Sequence, residues 1–141
     1  MRRKCSLCPA VGEIVDWETE RLQVKMRIDA VEQRLEELRR RSHELNVGPT
    51  TANNLLRARQ LMVKAAQRAA AAQLAAANQL ERIANAHESA APLHDLAAND
   101  ASNDLWTIAH THIAEAHRSA ARLDRELATR YRQQAEQNDG K

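Results

Sequence analysis

The sequence predicts an all-α protein, either a long helical hairpin or an elongated three-helix bundle with coiled-coil character, and three observations carry that expectation. Alanine, the residue with the best helix propensity, fills 27 of the 141 positions. Glycine and proline occur only three times each, which leaves little to punctuate the chain. Apolar residues recur in steps of three and four over long stretches, without the β-branched and aromatic runs that mark strands. Phenylalanine is absent and the only aromatic residues are Trp17, Trp106 and Tyr131. Such a composition suits long helices packed closely rather than a thick core.

Residues 1–12 read as a flexible N-terminal segment. A coiled-coil helix is expected over 13–46, where Ile14, Trp17, Val24, Ile28, Val31, Leu35, Leu38 and Leu45 follow a heptad rhythm broken by Arg21 and Ser42. This stripe is the candidate interface. It could seal against a second chain, in either orientation, or against other helices of its own chain.

Gly48-Pro49 sets a turn over 47–51, because glycine accepts the left-handed conformation that ends a helix and proline cannot continue one. Thr50 or Thr51 can then cap a second, alanine-rich helix over 52–96, whose expected stripe includes Leu55, Met62, Ala66, Ala69, Ala76, Leu80, Ile83 and Ala90. Between Ala65 and Ala77, nine of thirteen residues are alanine, which permits close helix approach. Pro92 should kink or end the helix. The polar stretch 97–104 forms the second turn, with Ser102 or Asn103 as N-cap. A third helix over 105–134 carries Trp106, Ala109, Ile113, Ala116, Ala120, Leu123 and Leu127, and 135–141 reads as a disordered tail.

An internal repeat links the last two helices. Ile83 to Leu93 matches Ile113 to Leu123 at eight of eleven positions, including both isoleucines, histidines and serines. An antiparallel hairpin turning near Ser102 would place His87 opposite His117 and His94 opposite His110, in two layers about 10 Å apart. Each layer offers two ring nitrogens, fewer than the three or four protein ligands a zinc site takes, so hydrogen bonding between helices or plain solvent exposure is favoured over metal binding at His87 and His117.

The other motif with chemistry attached is Cys5-x-x-Cys8. One cysteine pair is half of a structural zinc site, and two chains in parallel could complete a four-thiolate clasp. A thioredoxin-type redox role would need a βαβ context, which is missing. Zinc is thus the only cofactor in view, and the main expectation is none.

The 21 basic and 19 acidic residues nearly balance, giving a net charge of +2. The basic excess gathers at Arg2-Arg3-Lys4 and between Thr51 and Ala91, while Arg39-Arg40-Arg41 is diluted by Glu36, Glu37 and Glu44. Nucleic acid is therefore a less favoured partner than another helix. No apolar run is long enough to span a membrane, and the basic start lacks the apolar segment of an export signal, so a cytoplasmic protein is expected. There is no glycine-rich phosphate loop, nucleophile elbow or His-Glu-x-x-His, so an enzyme is not expected.

The Ala-His-x-Ser-Ala-Ala phrases at Ala86 and Ala116, with seventeen arginines against four lysines, resemble the Ala/Arg/His-rich helical proteins of high-GC bacteria and their phages. The resemblance covers about 49–134 and carries no activity over. The expected role is interaction or assembly, as a homo-oligomer or with a helical protein partner. The alternatives are a metal-clasped or redox-responsive dimer through Cys5 and Cys8, and a small nucleic-acid-associated regulator.

Overall fold

A computed structural model describes residues 11–47 and 51–139, with side chains from Trp17 onward. Cys5 and Cys8 lie outside the described residues, as does the side chain of Ile14. The fold is all-α, with three long helices and no strand among the described residues. They are α1 (Val11–Val47), α2 (Ala52–Asn99) and α3 (Asp104–Asp139). Among these residues no helix is long and apolar enough to cross a membrane.

Local chemistry explains the helix starts. Thr51 Oγ1 accepts a hydrogen bond from the Asn54 backbone N–H at 3.4 Å, and Asn103 Oδ1 accepts one from the Trp106 N–H at 3.0 Å. Each side chain satisfies a donor that the first helical turn leaves without a backbone partner. Pro92 does not end α2. It sits on the solvent side of a helix that continues to Asn99. At the other end of the chain, α3 continues through the stretch expected to be a disordered tail as far as Asp139, anchored by Ala135, which is buried.

The chain divides into two compact units. One comprises Met1–Leu22 and Gln79–Ala128, the other Gln23–Asn78 and Thr129–Lys141. In the first, α2 buries Leu80, Ile83, Ala84, His87, Ala91 and His94, while α3 buries His110, Ala114, His117, Ala121, Asp124 and Ala128. Both helices repeat an alanine every seventh residue, at 84, 91 and 98 and again at 114, 121 and 128. Small residues in register let the backbones approach, and the longer histidines fill the space between the alanine layers.

This packing corrects the expected stripe on α3. Trp106, Ala116 and Leu123 are exposed, and the buried face is built from alanine, histidine, aspartate and tyrosine instead. Leu105 and Ile108 also face solvent. Alanine and histidine fill the buried side of α3 in this unit, so its larger apolar residues Leu105, Trp106, Ile108 and Leu123 turn outward.

In the second unit, α1 buries Val24, Ile28 and Leu35, with Val31 and Leu38 half-buried, against Ala69, Ala70, Gln73, Ala76 and Ala77 of α2 and Tyr131 and Ala135 of α3. The α1 stripe is therefore largely closed within one chain. Leu45, near the end of α1, remains exposed. Gln73 links all three helices: its amide nitrogen donates to Glu32 at 3.4 Å, and its oxygen accepts from Asn138 at 3.0 Å. Asn138 in turn accepts from Arg39 at 3.1 Å. The last turn of α3 is thus tied to both other helices by polar contacts, and Gln73 can be buried because its amide is satisfied at both ends.

Candidate functional site: a histidine column and a helical groove

Four buried histidines stack through the centre of the first unit. His87 and His117 approach through their Nδ1 atoms at 2.9 Å, and His94 and His110 do the same at 3.1 Å. Within each pair one Nδ1 must carry the proton that the other accepts, so the two neutral rings adopt opposite tautomers. The pairs are not separate layers as the helix register suggested. His94 stacks on His117 with ring centroids 5.3 Å apart, which joins them into one column. Trp17 closes one end edge-on to His87 at 4.8 Å, and Trp106 stacks on His110 at 5.9 Å at the other.

Burial is the main reason these rings stay neutral. It pushes His87 down to about 4, helped by His117 and the Arg21 guanidinium, and it also depresses His94 and His117. Beyond His87 lies Asp124, fully buried on α3. Its Oδ1 faces Arg21 at 3.4 Å and its Oδ2 stands 3.9 Å from His87 Nε2, too far for a hydrogen bond. Burial raises the Asp124 carboxyl against the opposing pull of Arg21. Asp124 Oδ2, His94 Nε2 and His117 Nε2 are buried without a hydrogen-bond partner.

This geometry limits metal chemistry at His87 and His117. Their Nδ1 atoms face one another, but Asp124 approaches the opposite nitrogen of His87 and so cannot join an ion placed between them. Among the described residues, no group of three or more histidine, cysteine, aspartate or glutamate side chains is arranged to hold a metal. The column is sealed, with its histidines only 3–5% exposed. Its chemistry is that of a buried hydrogen-bonded support.

The second unit offers a surface rather than a sealed site. Between α1 and α2 lies an open groove of about 640 Å³, floored by Val31, Leu35, Leu38, Leu61, Ala65 and Ala69 and edged by Arg34, Lys64 and Arg68. Asn138 meets α2 at Gln73, and from Gln73 back to Ala52 the second helix extends roughly 30 Å at 1.5 Å per residue. Among the described residues α3 goes only one position beyond Asn138, so over that length α1 and α2 pack as a pair. Leu45, Val47, Leu56, Leu61 and Val63 consequently remain exposed.

The proposed interface residues thus separate into groups. Trp17 packs on the histidine column, and Val24 and Ile28 are buried within the second unit. Val31, Leu35 and Leu38 contribute to the groove, while Leu45 is exposed on the same unit. Sequence reasoning missed the pairing of the half-buried Arg21 with the buried Asp124, although Arg21 interrupts the heptad and Asp124 follows His110 and His117 at the same seven-residue interval. It also missed Gln73, a polar residue in register between Ala69 and Ala76 of the expected α2 stripe, and Leu61, which lies beside that stripe. Compared with protein-family models, curated proteins and solved structures, the chain matches none.

Proposed function

We propose that this chain is a non-enzymatic interaction or assembly protein of the cytoplasm that takes up a partner helix. The observation that supports this most directly is the open α1–α2 groove, whose aliphatic floor includes Leu61, 53% exposed. A two-helix surface with leucines uncovered can bury them by receiving a third helix, as an amphipathic helix fills a hydrophobic groove. Of the α1 stripe, Val24, Ile28 and Leu35 are already buried by the chain's own helices, which favours partner binding at the groove over self-association along the whole stripe.

Leu61→Glu tests this reading, with native mass spectra of the chain alone and with amphipathic helical peptides of either charge. Association by the parent chain that disappears in the variant, at unchanged helical content and Tm, supports a docking surface. A parent chain that remains a free monomer throughout, with a variant that melts early, would mean that Leu61 serves internal packing only.

A further inference from the structure

The groove is not electrically neutral. From Thr51 to Leu80 the sequence contains Arg57, Arg59, Lys64 and Arg68 and no acidic residue. Lys64 and Arg68 are exposed and border the apolar floor on the α2 side. Across the groove, α1 supplies four arginines against three glutamates between Arg34 and Val47, and those glutamates are engaged locally. Glu37 lies between Arg34 and Arg41, Glu36 pairs with Arg39 at 3.7 Å, and Glu44 with Arg40 at 3.8 Å. Arg34 and Arg41 hold the Glu37 carboxyl below the usual carboxylate range, so it remains charged and committed to them. The glutamates of α1 therefore lie with their own helix's arginines, while the α2 edge carries Lys64 and Arg68 with no acidic residue on α2 before Glu81.

We infer that the occupant of this groove is an acidic amphipathic helix of a partner protein. The inference rests on the proposed helix-binding role and specifies its chemistry. Leucines of the partner would cover Leu61 and the half-buried Val31 and Leu38, while flanking glutamates or aspartates would meet Lys64 and Arg68. A second copy in a symmetric contact would bring the basic α2 edges together and be opposed by like-charge repulsion. A nucleic-acid backbone would satisfy the positive edge but would leave the aliphatic floor without an apolar partner.

The experiment uses the full chain and two labelled helical peptides of about three heptads with leucine at a and d, one flanked by glutamate and the other by lysine. Fluorescence anisotropy is measured at low and high salt, with a random-sequence DNA duplex and the unlabelled chain itself as alternative ligands. The expected result is binding of the glutamate peptide that weakens with salt. Leu61→Glu should reduce its affinity by more than about tenfold. The Lys64→Glu/Arg68→Glu variant should reduce it about tenfold and improve capture of the lysine peptide. Circular dichroism on both variants, whose substituted side chains are exposed, separates lost binding from lost fold.

Equal binding of both peptides would overturn the acidic specificity while preserving the helix-binding role. So would self-association that disappears in Leu61→Glu, because it would identify a second copy as the occupant. Preferential, salt-sensitive binding of the DNA duplex that is insensitive to Leu61→Glu would overturn both readings. Failure to bind either peptide, by a chain that remains monomeric, would also overturn both.

Discussion

His87 and His117 occupy equivalent places in the duplicated Ile-Ala-x-Ala-His-x-Ser-Ala-Ala phrase and face each other at 2.9 Å through the same ring atom. A two-histidine contact of this kind needs one shared proton, and therefore opposite tautomers in otherwise similar environments. Asp124 supplies a difference between the two, since it stands beside His87 Nε2. The duplication thus supplies a matched pair of rings, and residues outside it make their surroundings unequal.

Stability should fall as pH is lowered through the histidine range. An unfolded histidine titrates near 6.5, whereas burial lowers His87 to about 4 and also lowers His94 and His117. Between those values the unfolded chain binds more protons, so stability is fully present above about pH 6.5 and is lost toward pH 4, by about 3 kcal/mol for His87 alone. The groups facing this column include Arg21, which opposes its protonation, and Asp95 and Asp124, whose carboxylates favour it. Asp124 has the opposite linkage, because its raised folded pKa adds stability as pH falls toward its unfolded value. Urea titrations from pH 4 to 7 should show the loss, and His87→Leu/His117→Leu should flatten it. An unchanged pH slope in that double variant would exclude the pair as its source.

Arg21→Ala should destabilise the protein by about 3 kcal/mol at neutral pH, because it leaves the fully buried Asp124 carboxylate without its cationic neighbour. Asp124→Asn should cost less, since Arg21 is partly exposed and can be hydrated. The combined Arg21→Ala/Asp124→Asn variant should recover most of the loss caused by the arginine change. Urea midpoints of the three variants measure the coupling, and strict additivity would show that the two residues act independently.

Gln73→Ala should destabilise the second unit by about 1–3 kcal/mol. It removes the acceptor for Asn138 and the donor to Glu32, separating the last turn of α3 from its neighbours. Hydrogen exchange should consequently accelerate over residues 129–139 more than in the first unit. Uniform acceleration across both units would contradict this local role.

Ala84→Leu or Ala114→Leu should cost about 1–3 kcal/mol through overpacking, since both alanines are fully buried on the α2 and α3 faces. By contrast, Leu105→Ser changes an exposed side chain and should shift stability by no more than about 0.5 kcal/mol. Comparing thermal melts of these variants tests whether α3 buries its alanine-histidine face. A larger loss from Leu105→Ser would reverse the assignment.

The all-helical fold was legible from alanine content and periodicity, because helix formation depends on near neighbours, whereas the helical course of 135–139 was not, because it depends on the burial of Ala135. The register between α2 and α3 was legible too: a turn near Ser102 fixed which histidines oppose each other. Tertiary packing decided what periodicity left open. It turned α3 by its alanine face, so that Trp106 and Leu123 lie outside and Asp124 and Tyr131 inside. It also made Val24, Ile28 and Leu35 internal, left Leu61 uncovered, and brought Arg21 to Asp124. Amphipathic spacing records that a helix has an apolar side; the distance at which two backbones can meet decides which side is buried.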